Sequence, residues 1–195
     1  MSGHNHGRHH RPEDFDEFYA QGQQWSGNPN DSLVREVAEM TPGTALDVGC
    51  GEGADLLWLA EQGWTVVGVD PADAAVERSR ALLEDHGFAE RSPVIAGDIS
   101  DVEGQRFDLV IGFYVPLPEE DTTSVAALEK LVAPGGTLLW VHHVGHAHAV
   151  LRPEQLANQL TELQPVKVEN VERQVIHGAG AHHKDDQVLL ARRDA

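Results

Sequence analysis

From Ala45 onward, short apolar runs alternate with stretches whose apolar residues return every three or four positions. Ala45–Val48, Thr65–Val69, Val94–Ala96, Phe107–Tyr114 and Thr137–His142 read as five strands. Helical periods follow them at Ala54–Gln62, which carries Leu56, Leu57, Leu59 and Ala60, at Ala72–His86, at about Glu119–Val132, and near Pro153–Leu163. "APGG" closes the third of these, and Pro153 opens the fourth as a first-turn proline. Upstream, Asn30, Asp31 or Ser32 caps a helix with Leu33, Val34 and Val37 inward, after the loop "WSGNPN". Before that loop, the aromatics between Phe15 and Trp25 suit a short helix covering something apolar, while Trp58 and Trp64 read as packing residues.

The end of the chain breaks the alternation. Val166–Ile176 and Gln187–Arg192 are both strand-like, but only the loop "HGAGAHHKDD" lies between them, so they pair as an antiparallel hairpin. The expected fold is therefore α/β: a doubly wound, mostly parallel seven-stranded sheet with an antiparallel C-terminal hairpin.

Composition narrows what such a sheet serves. The 195 residues suit one domain, here 13–195, preceded by a polar, His-rich segment over 1–12 that reads as disordered. No apolar run approaches the ~20 residues of a membrane span, and the first residues lack a signal-peptide core, so a cytoplasmic protein is expected. The single cysteine, Cys50, excludes an intrachain disulfide and a thiolate metal cluster. A formal charge of −18 opposes nucleic acid and anionic membranes as partners and favours a cationic ligand. A monomer or a homodimer fits equally well.

The stretch "ALDVGCGEGADLLWLA" carries the most chemistry. A strand runs into Gly49, Gly51 and Gly53, a helix starts at once, and Asp70 ends the next strand, where a carboxylate can bind both hydroxyls of a ribose. Gly49-x-Gly51-x-x-Ala54 also satisfies a dinucleotide fingerprint. A pyrophosphate would sit at this helix start, yet Asp47 and Glu52 place two carboxylates beside it. They suit an amino group or a sulfonium better than a phosphate, which disfavours an NAD-dependent oxidoreductase.

Asp47-x-Gly49-x-Gly51-x-Gly53, Asp70 after the second strand and "AGDIS" after the third together resemble the class I S-adenosylmethionine (SAM)-dependent methyltransferases, with their Rossmann-like fold. "WSGNPN", "LDVGCGEGADLLWLAEQGW" and "APGGTLL" are similar, more narrowly, to the bacterial tellurite-resistance and thiopurine-methyltransferase-like group. The resemblance implies SAM as cofactor, with Asp47, Gly49, Cys50, Gly51 and Gly53 around its methionine moiety. It puts Asp70 on the ribose, Pro71 beside the adenine, Asp98 on the adenine amino group and the Ile99 N–H on a ring nitrogen. Phe113 and Tyr114 would border the sulfonium, and Trp25 would close the site from above.

The acceptor then belongs above the carboxyl ends of the fourth and fifth strands, at "GFYVPLPEE" and "VHHVGHAH". The first segment lacks the Asn/Asp-Pro-Pro-aromatic run of planar-amine methyltransferases, and Val115-Pro116-Leu117-Pro118 offers apolar walls. A small-molecule thiol, chalcogen oxyanion or similar nucleophile is the expected acceptor, with His142, His143, His146 and Tyr114 as candidate acid/base groups. Strand alternation sends His142 and His143 to opposite faces, so both serve the pocket only if the strand has already ended. The alternative is a SAM- or metal-binding protein without transferase activity. It would need His142, His146 and His148 to converge with His177, His182 or His183, and no metal site is assigned. The cluster His4, His6, His9 and His10 reads as an adventitious chelator.

Overall fold

The computed structural model describes residues 17–145, 150–172 and 185–195. Among these residues, after a helical stretch over 17–20, helices α1 (Asp31–Val37), α2 (Ala54–Glu61), α3 (Asp73–Asp85), α4 (Thr122–Leu131) and α5 (Pro153–Gln159) accompany seven strands. The strands are β1 (Thr44–Val48), β2 (Thr65–Asp70), β3 (Val94–Ala96), β4 (Phe107–Phe113), β5 (Val132–His143), β6 (Gln164–Glu172) and β7 (Asp185–Arg192). They form one sheet in the order β3-β2-β1-β4-β5-β7-β6. β1 to β5 pair in parallel, and β7 lies antiparallel between β5 and β6. The expected sheet is the observed one. Its order reverses between β1 and β4, the place where an open α/β sheet leaves a crevice at its carboxyl edge.

Alternation along the strands divides the core between two faces. Ala45, Leu109, Ile111, Leu139, Val141, Val188 and Leu190 pack with Leu33 and Val37 of α1, Leu56 and Leu59 of α2, and Val76 and Leu83 of α3. Leu46, Val110, Leu138, Trp140 and Leu189 pack with Val125, Leu128 and Leu131 of α4 and Leu156 of α5. Trp64 is buried in the first of these clusters and Trp58 packs against it, as their sequence context suggests.

Several boundaries differ from the sequence expectation. β5 starts at Val132 rather than Thr137, because the chain leaves α4 directly into pairing with Phe107. "APGG" does follow the helix end at Leu131, and it forms a bulge, with Gly135 at φ 73°, across which the register shifts before Leu109 meets Thr137. α4 begins at Thr122, where the Asp121 carboxylate accepts the Ser124 N–H at 2.9 Å. The last helix stops at Gln159, and the buried Glu129 then collects the N–H groups of Thr161, Glu162 and Leu163. β6 ends at Glu172, and the remainder of the expected Val166–Ile176 strand lies outside the described residues.

One close contact anchors the second face. Gly112 pairs with Trp140 across β4 and β5, and a Cβ there would lie 2.1 Å from the indole. Gly112→Ala should therefore cost about 1–3 kcal/mol through overpacking. Combined with Trp140→Leu, it should cost less than the sum of the two single changes, which urea denaturation of the four proteins checks.

Candidate functional site

β1 delivers the chain into a turn in which Gly49, Gly51 and Gly53 have φ of 71°, 53° and 88°. Neighbours crowd this turn beyond what φ requires, most of all at Gly53. A Cβ on Gly53 would lie 2.2 Å from Ser79 Oγ and 3.1 Å from its Cα, so this glycine lets α2 approach α3. A Cβ on Gly51 would lie 3.1 Å from the Tyr19 hydroxyl, which rests on the turn. Asp70 fixes the turn from the end of β2: its Oδ2 accepts the Gly51 N–H at 2.8 Å and its Oδ1 the Ala72 N–H at 2.9 Å.

Beneath the turn sits a group of acids. Asp47 is 2% exposed, and its Oδ2 has no hydrogen-bond partner. Burial, with Asp55 and Asp70 nearby, raises its carboxyl well above the usual range. Asp55, in the first turn of α2, accepts the Asn30 N–H at 2.7 Å. Burial nevertheless pushes it up to about 6. An unsatisfied buried carboxyl in such company is costly, and an ammonium or sulfonium is the ligand charge that would repay it. The donor set thus fits the methionine end of SAM. Cys50 is buried here too, and burial pushes its thiol well up, so it packs rather than reacts.

Glu52 lines the cavity beside the turn and also has partners within the chain. Its carboxylate accepts the N–H groups of Gln24 and Trp25 and pairs with Arg78 at 2.8 Å. Arg78 also donates to the carbonyls of Gly22 and Tyr19. Glu52 and Arg78 therefore tie the N-terminal segment across the turn, and both also line the cavity. Trp25, 38% exposed, donates from Nε1 to the Tyr19 hydroxyl at 2.9 Å and sits over Gly51. Tyr19 is buried against Ala72 and Ala75, so the aromatic segment does cover apolar surface.

These residues line one cavity of about 1910 Å³. Small-ligand pockets span roughly 300–1,000 Å³, so there is room for a cofactor and a second molecule. Asp47 lies under the loop, whereas Gly49, Cys50, Gly51, Gly53, Asp70, Pro71, Asp98, Ile99, Phe113, Tyr114 and Trp25 all line the cavity. Asp98 caps the 3-10 turn Ile99–Val102, accepting from the Ser100 N–H and hydroxyl, which hold its carboxyl below the usual range.

The other end of the cavity lies over β4, β5 and β7. β5 continues through His143, and Leu139/Val141 and Leu138/Trp140 do face opposite ways. Both His142 and His143 nevertheless line the cavity, because it wraps over the end of the strand. The expected exclusion of one histidine is thus corrected. His143 Nδ1 lies 2.8 Å from Oδ1 of Asp186, itself 2% exposed. Oδ2 of Asp186 accepts the Tyr114 hydroxyl at 2.6 Å, and that hydroxyl accepts from Asn30 Nδ2 at 3.0 Å. Tyr114, with φ of 58°, is the one non-glycine residue of positive φ among the described residues. Its ring stacks on His143, with centroids 4.1 Å and planes 22° apart.

Asp55 and Asp186 were not anticipated from sequence. The first had a signal in its place one helical turn beyond the glycines; the second had one only if the hairpin register were known. His146, His148, His177, His182, His183 and the N-terminal histidines lie outside the described residues, as does the 1–12 segment. Among the described residues, no group of three metal-ligating side chains converges.

A family model described as a methyltransferase domain matches residues 42–190. The chain is 34% identical over 108 residues to the ribosomal RNA small subunit methyltransferase C of Alcanivorax borkumensis, covering 51% of this chain and 32% of that protein. It is 35% identical over 91 residues to the 2-heptyl-1-hydroxyquinolin-4(1H)-one methyltransferase of Mycobacteroides abscessus, covering 45% and 40%. The chain thus matches well under half the length of these relatives. Its fold is similar to that of the Burkholderia thailandensis 1,6-didemethyltoxoflavin-N1-methyltransferase with bound S-adenosylhomocysteine, at a TM-score of 0.71 and 22% identity over 94% of this chain and 87% of the other.

The raised carboxyls predict a pH signature. The folded chain retains protons on Asp47 and Asp55 that the unfolded chain releases at about pH 4. Their contribution favours folding at low pH and is lost as pH rises through about 6 for Asp55. Asp55→Asn keeps the acceptor for Asn30, so its melting temperature should exceed that of wild type by a margin that grows from pH 4 to pH 7. About 1 kcal/mol corresponds to roughly 2–4 °C in a chain of this size. A constant or shrinking margin in thermal melts of the unliganded proteins would contradict this.

Proposed function

Since the chain belongs to the methyltransferase-domain family and has the class I, SAM-dependent fold, we propose that it transfers the methyl group of SAM to a small-molecule nucleophile. The buried, unpartnered Oδ2 of Asp47 beneath the glycine turn carries the cofactor half of this reading. Asp47 receives the ammonium of the methionine moiety, directly or with Asp55, and the glycine turn lets the backbone close on it. Asp70 addresses the ribose, Pro71 and Ile99 flank the adenine, and Asp98 accepts from its amino group. Phe113 and Tyr114 border the sulfonium, and Trp25, held by Glu52 and Tyr19, covers it from solvent.

When bound, SAM supplies a methyl carbon already activated by its sulfonium, so the chain's task is alignment and exclusion of water, effects worth ~7–11 kcal/mol when geometry is ideal. The acceptor occupies the cavity between Val115, Leu117, His142 and His143, with the apolar side chains as walls. Its small size is supported by these walls, by the formal charge of −18 and by similarity to a quinolone methyltransferase. The ribosomal RNA relatives favour a nucleic acid, but phosphate contacts need clustered Lys and Arg. Arg78 and Arg106, two of the cavity's cations, are bonded to the chain itself.

Isothermal titration should give S-adenosylhomocysteine a dissociation constant at least tenfold below that of NAD. Asp47→Asn should weaken binding about 10- to 100-fold, the worth of a hydrogen bond to a charged group. With radiolabelled SAM, label should pass to members of a panel of small thiols, phenols, selenite and tellurite, and not to ribosomal RNA. Label recovered in RNA alone would replace the small-molecule reading.

A further inference from the structure

The antiparallel register of β5 and β7 sets Asp186 directly opposite His143, with Tyr114 stacked on the imidazole and bonded to the second carboxylate oxygen. A carboxylate only accepts hydrogen bonds. With Nδ1 of His143 as the donor in the 2.8 Å contact, the neutral form of the ring carries its lone pair on Nε2. Nε2 is at the far edge of the ring from the buried Asp186, and His143 lines the cavity. Asn30, from the start of α1, holds the Tyr114 hydroxyl in place, so groups from α1, β4, β5 and β7 fix one imidazole. The titratable neighbours of His143 among the described residues are Tyr114 just after β4, His142 on its own strand, and Asp185 and Asp186 on β7.

We propose that His143 is the base that takes the proton of the methyl acceptor, that Asp186 is its positioning residue, and that the acceptor is a neutral, weakly acidic hydroxyl or thiol on an apolar body. This rests on the methyltransferase reading above and deepens it. A preformed oxyanion has no proton to give, and it would approach an imidazole backed by the Asp186 carboxylate. The cations that line the cavity, Arg78, Arg106 and Lys130, lie on none of β4, β5 and β7. Val115 and Leu117 instead offer apolar surface to the body of the acceptor. In the step, the acceptor's proton passes to Nε2 and the freed electron pair forms the bond to the methyl carbon. The carbon–sulfur bond breaks with its pair going to sulfur, which loses its positive charge. The imidazolium then returns its proton to solvent. Tyr114 donates its hydroxyl hydrogen to Asp186, so its place is that of a buttress rather than the base.

The test uses the full chain, His143→Gln and Asp186→Asn, each first titrated with S-adenosylhomocysteine. Nitrogen-15 spectra of the imidazoles in that complex should show His143 as the Nδ1–H tautomer in wild type. In Asp186→Asn the signal should move toward the other tautomer, since an amide can also donate. Methyl transfer is then measured across para-substituted phenols, from 4-nitrophenol to 4-methoxyphenol, and with tellurite. His143→Gln should lower kcat on 4-methoxyphenol about 10²- to 10⁴-fold, the worth of a general base. It should lower kcat on the more acidic 4-nitrophenol less than about tenfold, and it should abolish the rise of rate with pH. Asp186→Asn should show the same selectivity to a smaller degree. Equal losses on both phenols, an Nε2–H tautomer in wild type, or turnover of tellurite with none of the phenols would overturn the inference. Loss of S-adenosylhomocysteine binding by wild type would instead overturn the methyltransferase reading.

Discussion

The mouth of the cavity is fixed by one carboxylate bonded to two backbone N–H groups. Asp70 ends β2 and holds Gly51 with one oxygen and Ala72 with the other, while the Val69 carbonyl accepts from Gly49 and Cys50. The turn after β1 is thereby tied to the exit of β2, its neighbour in the sheet. Left-handed conformations cost side-chain-bearing residues ~1–2 kcal/mol each; here three glycines adopt them at once, and hydrogen bonds from Gly49, Cys50 and Gly51 N–H to Val69 and Asp70 hold the turn. Everything else at the site takes its position from this tie. Asp47 is shut in below it, Tyr19 and Trp25 rest above it, and α2 and α3 meet at Gly53 beside it.

The tie also concentrates negative charge. Asp47, Asp55 and Asp70 share a poorly hydrated volume, and the first two respond by binding protons more tightly. A fold selected for stability alone would replace Asp47, whose Oδ2 has no hydrogen-bond partner among the described residues. Local inconsistency of this kind concentrates where a ligand supplies the missing partner. Glu52 differs in this respect. It is as close to the turn and lines the cavity, but Arg78 and two N–H groups satisfy it, so it also fastens the cover.

The parts of this arrangement legible in the sequence are those with local causes. Strands flanked by periodic helices, three glycines between β1 and α2, and an acid at the end of β2 each declare themselves within a few residues. What escaped depended on distant partners. The fastening role of Glu52 escaped because its partners, Gln24, Trp25 and Arg78, lie at least 26 residues away along the chain. "APGG" looked like a helix stop because glycine-rich segments usually are. The helix does end just before it, but its bulge comes from the register shift in pairing with β4, which local sequence does not specify. Asp186 sat in what read as loop, since a slip of one residue in the hairpin would have turned it to the other face.

That register has a chemical consequence of its own. In a doubly wound sheet, every parallel strand brings its carboxyl end to the edge where ligands bind. β7 runs the other way, so it brings its first residues to that edge instead. Those residues are Asp185 and Asp186, arriving beside the last residues of β5, His142 and His143. A parallel strand in the same place would present Ala191 and Arg192 there and leave the imidazole without a buried acceptor. The reversal of one strand thus adds a carboxylate to an edge otherwise furnished by strand ends, at the point where the apolar walls of Val115 and Leu117 begin.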